Sequence, residues 1–140
     1  MRYLPVGGGA YHWMYTDAAR RWFVTCDDLD TKPWLGSDRD MVFEALLAAY
    51  DTAMALRASG SAFVVAPFAA RSGAPAERVD DRYSVSGLEY VEGTPGQWGR
   101  RISPRTVAAL VSMLALLHHS TASVRTLARR GVRGAGPGRP

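Results

Sequence analysis

Leu4-Pro5-Val6-Gly7-Gly8-Gly9-Ala10-Tyr11-His12-Trp13-Met14-Tyr15-Thr16, followed by Arg21-Trp22-Phe23-Val24-Thr25-Cys26, is the stretch on which the fold turns. Aromatic and β-branched residues fill both runs, and turn residues bound them. The pattern predicts a strand over Tyr3–Val6, a glycine turn, a strand over Tyr11–Thr16, a short turn at Asp17-Ala18-Ala19, and a strand over Arg21–Cys26. Glycines at such a turn remove side chains, so that backbone N–H groups can approach a phosphate.

Working outward, Asp27 to Gly36 is a polar connection containing Pro33. Ser37 then resembles a helix cap, with Asp38 and Asp40 in the first turn, where carboxylates meet the helix dipole favourably. Val42, Leu46, Ala49, Ala53 and Leu56 recur at spacings of four and three, the apolar face of a helix that ends at Ser59-Gly60-Ser61. Phe63–Phe68 reads as a short buried strand, Arg71 to Arg82 as a polar hairpin loop, and Tyr83–Val91 as a fifth strand. Glu92-Gly93-Thr94-Pro95-Gly96 is a linker. Ser103-Pro104 opens a second helix, a serine cap with proline at the first helical position. Val107, Leu110, Val111, Leu114 and Leu117 line one face of it, and Ala108, Met113 and Leu116 make the rest apolar. Such a helix expects protein on several sides. The expected class is α+β: a five-stranded antiparallel sheet with one packed helix, followed by an apolar helix.

Composition narrows the function. At 140 residues one compact domain is expected. No apolar run reaches the roughly 18 residues that a membrane span needs, and no signal peptide is visible, so no membrane partner is expected. Cys26 is the sole cysteine; an internal disulfide is impossible and a cytoplasmic location is expected. The net charge of +4 is concentrated at the end: 122–140 holds five arginines and no acid. Subtracting five from seventeen basic residues leaves twelve against thirteen acids, or −1, for the remainder. The folded part therefore lacks the basic, aromatic-interleaved face of a nucleic-acid module, and no specific nucleic acid is expected. The tail 122–140 is read as a disordered basic segment. Lys32 is the only lysine, against sixteen arginines.

The order of three strands, helix, two strands, linker and helix resembles the small lobe of the aminoglycoside phosphotransferase family, within the protein-kinase-like fold. The residues that carry the likeness are Leu4 to Trp13, Trp22-Phe23-Val24-Thr25, Phe43-Glu44-Ala45-Leu46, Leu88 to Gly93, and Leu114 to Thr121, the last similar to a Leu-His-x-x-Thr helix end. It implies a small lobe over 1–96, a linker and first helix of a large lobe over 97–121, and the tail beyond. By the resemblance, Gly7, Gly8 and Gly9 cover the phosphates of ATP, although His12 stands where the kinase glycine motif has its third glycine. Thr25 occupies the position of the strand lysine, so Lys32 is the candidate cation, swinging in from the loop, with Glu44 as its helix partner. Glu89, Tyr90 and Val91 form the hinge that hydrogen-bonds adenine, walled by Phe68, Val24 and Val6.

Other residues invite plainer readings. Asp27, Asp28 and Asp30 lack the further ligands of a calcium loop and read as a solvated acidic turn, or as contacts to a cationic aminoglycoside amine. His118 and His119 are adjacent and point apart, a helix-end pair favoured by the dipole. Cys26 reads as a buried structural thiol.

Kinase-type transfer needs a catalytic aspartate and an Asp/Asn set that holds Mg²⁺. The sequence has no asparagine and no aspartate after Asp81. The implied function is thus a truncated ATP-dependent phosphotransferase lobe, with no catalytic residue or metal ligand of its own and inactive alone. The Arg/Gly/Pro composition after Val124 reads as a premature or frame-shifted ending, and residues before Met1 as missing. Its partners would be a nucleotide, a missing large lobe, or a second copy bound through Val107–Leu117. The alternatives are a non-catalytic interaction domain and a degraded gene product.

Overall fold

A computed structural model of the chain describes residues 1–93 and 99–134. The middle of the expected linker (94–98) and the end of the expected tail (135–140) lie outside the described residues. The element order is β1 (Arg2–Leu4), β2 (Ala10–Thr16), β3 (Arg21–Asp28), a 3-10 turn (Leu29–Thr31), α1 (Arg39–Ala58), β4 (Glu77–Val79), β5 (Tyr83–Glu89) and α2 (Pro104–Gly134). The strands form one antiparallel sheet in the order β1-β2-β3-β5-β4. The α+β class with a five-stranded antiparallel sheet therefore holds.

Register fixes which side chains share a face, because strand side chains alternate. His12 pairs with Thr25 and Thr25 with Ser86, while Asp27 pairs with Ser84. These residues, with Met14 and Phe23, face α1: the Tyr50 hydroxyl of that helix donates to Asp27 at 3.1 Å and accepts from Ser86. The opposite face carries Tyr3, Tyr11, Trp13, Tyr15, Trp22 and Val24, and every one of these is exposed or half-buried.

Four expectations are corrected. The fourth strand is not Phe63–Phe68 but Glu77–Val79, inside the segment read as a polar loop. Arg57 Nη1 donates to the carbonyls of Ala62 and Val64, and the segment meets β5 only at its end, where Pro67 bridges to Leu88 and Phe68 N donates to the Gly87 carbonyl. A proline has no N–H to give a ladder. Helix α1 is capped by Asp38 rather than Ser37; its carboxylate accepts from Met41 N at 2.8 Å. Its buried positions are Val42, Ala45, Ala48 and Leu56, so small alanines are buried where Leu46 and Ala49 were expected, and the helix packs against α2. Helix α2 starts as expected, with Ser103 Oγ accepting from Thr106 N. It continues through Arg125, Arg129 and Arg130, so it is a mixed helix rather than an apolar one, and it includes the first part of the expected tail. Its stretches Pro104–Ser120 and Val124–Arg130 are set at 92°. Val124 is buried, whereas Val107, Leu110, Val111 and Leu114 are about half exposed (45, 45, 58 and 55 %). No single helix among the described residues is long and apolar enough to cross a membrane.

Candidate functional site

The glycine turn joins β1 to β2 and stands at the end of the sheet where Ala10 faces Asp27. Gly7 and Gly9 have φ of +72° and +86°, a region that side chains with a Cβ avoid. Two nitrogen-bearing side chains lie against these two residues. A Cβ on Gly7 would stand 3.3 Å from His12 Nε2, and one on Gly9 would stand 3.6 Å from Lys32 Nζ. A Cβ on Gly8 would meet nothing within 4 Å.

Lys32 does reach the glycine turn. It sits just after the 3-10 turn, which Asp28 caps by accepting from Asp30 N. From there its ammonium donates to the Gly9 carbonyl at 2.7 Å and pairs with Asp27 at 2.9 Å. Lysine and aspartate side chains are only 9 and 6 % exposed. The expected partner, Glu44, is exposed on α1 and makes no ion pair among the described residues, so the pairing passes to Asp27. Asp27 and Asp28 are likewise not a solvated turn: both are buried. Asp27 is held by Lys32 and Tyr50, and Asp28 takes two hydrogen bonds from Arg82, at 3.0 and 2.6 Å. Those bonds hold the Asp28 carboxyl below the usual carboxylate range. Burial, with the Asp27 charge second, pushes the Tyr50 hydroxyl up to about 12. Among the described residues no three His, Cys, Asp or Glu side chains group to hold a metal ion.

Thr25, at the lysine position, is buried, and its hydroxyl lies 3.2 Å from His12 Nδ1. The His12 ring stacks on Phe23 with centroids 4.9 Å apart. His12 thus extends the cluster along β2 from Gly7 to Thr25 and Phe23.

Glu89, Tyr90 and Val91, the residues expected as a hinge, lie at the far end. Trp22 faces Glu89 in the register, five residues of β3 away from Asp27, or about 17 Å along the strand. Two clefts meet there. One, of about 280 Å³, is lined by Met54, Arg57, Pro67, Phe68, Glu89 and Val91, among others. The other, of about 350 Å³, is lined by Arg21, Trp22, Phe68, Glu89 and Tyr90, among others. Val24, expected as a wall of the adenine site, lies on the opposite face of the sheet, one residue out of phase with Thr25. Val6 is half exposed at the edge of the glycine turn. The α1-facing residues Met14, Phe23 and Leu88 connect the two ends instead. Their shared face was available in the period-two spacing of β2 and β3, but choosing the face required the register. Cys26 is half-buried rather than buried; burial, with the charges of Asp27 and Asp28 behind it, raises its thiol above the usual value.

Comparison of the chain with protein-family models, with curated proteins and with solved structures finds no match in any of the three.

Proposed function

We propose that the protein binds an adenine nucleotide along the α1-facing side of its sheet, as a small nucleotide-binding lobe of the phosphotransferase kind. The observation that carries this reading is the cluster at the glycine turn: His12 against Gly7, Lys32 against Gly9, and open space above Gly8. Backbone amides of such a turn, a histidine and an ammonium make an anion site. Lys32 has three N–H donors and spends them on Gly9 and Asp27, which leaves one for a phosphate oxygen. The Asp27 charge does not oppose the ligand outright, because Lys32 and Tyr50 hold it. Met14, Phe23 and Leu88 then offer an apolar floor toward Glu89–Val91 for the base. The element order of three strands, helix and two strands supports the same reading.

Binding is the whole of the proposed activity. ATP would bring the phosphoryl group, but the chain has no asparagine and no aspartate after Asp81 to hold Mg²⁺ or accept the hydroxyl proton. ATP-dependent product formation by the pure 140-residue chain would refute this.

Calorimetric titration with Mg-free ATP tests the proposal on the native chain and on Gly8→Val. A Cβ at this position meets nothing within 4 Å, so the branched side chain projects into the space proposed for the phosphates. Saturable binding to the native chain is expected, weakened at least tenfold in Gly8→Val at an unchanged unfolding temperature. No binding, or equal binding by both, would overturn it and leave the second reading, an interaction domain. That reading is favoured by the half-exposed apolar side chains of α2.

A further inference from the structure

Sheets with one covered face place apolar residues toward the cover and polar residues toward water. This sheet departs from the rule on both faces, with polar residues buried beside Met14, Phe23 and Leu88 under α1 and aromatic rings on the open side. The face covered by α1 buries Thr25, Asp27, Ser84 and Ser86. The open face presents Tyr3, Tyr11 and Tyr15 at 52, 46 and 44 % exposure, around a half-buried Trp13. Tyr3 meets Trp13 edge-on at 5.8 Å, and Tyr11 tilts against it at 6.3 Å, so the rings form one contiguous patch. Exposed patches of this kind mark interfaces. It is independent of the nucleotide site, which lies on the other face.

The same chain carries a second exposed apolar surface, the stripe Val107, Leu110, Val111 and Leu114 on the Pro104–Ser120 arm of α2. The two match in three respects. In length, the arm is about 25 Å and the seven-residue β2 about 23 Å. In charge, no formal charge lies between Val107 and Leu114, and Tyr3, Tyr11, Trp13 and Tyr15 carry none, so the two matched stripes are both uncharged. In area, a stable interface buries about 1,600 Å² in total. A two-fold pair in which each copy gives both surfaces needs about 400 Å² from each of four, or roughly four half-exposed large side chains apiece at about 100 Å². Val107, Leu110, Val111 and Leu114 supply them on the arm; the three tyrosines with Trp13 and Trp22 supply them on the sheet.

We propose that the protein forms a symmetric dimer in which the α2 arm of each copy lies across the aromatic sheet face of the other. A helix laid on a sheet is an ordinary layer pair, and reciprocal exchange closes the assembly at two copies.

Disulfide trapping in a Cys26→Ser background tests it. Copies carrying Tyr11→Cys are mixed with copies carrying Leu114→Cys, both at exposed positions. Rapid formation of the mixed disulfide, in preference to either homodisulfide, is the expected result. A dominant Leu114→Cys homodisulfide would mean arm against arm, and a dominant Tyr11→Cys homodisulfide sheet against sheet; either overturns the proposal. Sedimentation gives a second readout without cysteines. The native chain is expected to dimerise, Tyr11→Lys and Leu114→Glu each to weaken the dimer at least tenfold, and their mixture to restore it. A native chain that stays monomeric at high micromolar concentration, or a dimer indifferent to Tyr11→Lys, would sink it.

Discussion

Lys32 donates a hydrogen bond to the carbonyl of Gly9 at 2.7 Å, across 23 residues of chain. The only lysine in the sequence thereby ties the glycine turn to the loop after β3, and its charge is balanced by Asp27 at 2.9 Å in a nearly dry setting. A buried pair of this kind is costly to form and costlier to halve.

Lys32→Met is therefore expected to lower stability by about 3–5 kcal/mol, because Asp27 is left buried without its cation. Lys32→Met combined with Asp27→Leu is expected to recover most of that loss. Urea midpoints of the two singles and the double form the cycle that measures it. A single Lys32→Met as stable as the native chain would show the ammonium to be solvated.

Tyr50 is expected to be the last tyrosine to ionise. Its hydroxyl is pushed up to about 12, from an ordinary value near 10, first by burial and then by Asp27. The neutral form is the one the fold favours. The associated stability is therefore complete below about pH 10 and lost as the pH rises through about 12. Ultraviolet titration of tyrosinate in native and Tyr50→Phe protein separates this step from the others. Loss of an ordinary, early-titrating tyrosine on substitution would contradict the burial.

Acid acts at the opposite end of the range. Arg82, hydrogen-bonded to Asp28, holds that carboxyl below its ordinary value, and Arg39 does the same for the exposed Asp30. A depressed folded-state pKa gives stability that is fully present above the unfolded value near 3.9 and is lost as pH falls through the folded one. Asp28→Asn is expected to flatten the fall in the unfolding temperature below about pH 4. An unchanged slope would remove Asp28 from the acid transition.

The sequence was most legible where one local rule dominated. The three glycines and the alternating aromatic runs around them specified β1, β2 and β3, and Ser103-Pro104 specified the start of α2. It failed where a distant residue decided the outcome. Phe63–Phe68 looks like a strand until Arg57 takes its carbonyls, and Glu77–Val79 looks like a loop until β5 pairs with it. Lys32 stood out as a singular residue, but its partner did not. Asp27 follows Cys26 in a run that reads as a polar turn, and only the extension of β3 to Asp28 carries it inward. That the aromatic face is the open one was also hidden, because alternation names two faces without naming the covered one.

The glycine turn, His12 and Lys32 are proposed to receive the phosphates of a nucleotide. The most direct measurement is a set of backbone amide NMR shifts, recorded as Mg-free ATP and then inorganic triphosphate are titrated into the native chain. With ATP, saturable shifts are expected at Gly7, Gly8 and Gly9 and at Phe23 and Leu88. With triphosphate, they are expected at the glycines alone. Shifts confined to the arginines of α2, or none at the glycine turn, would contradict the account.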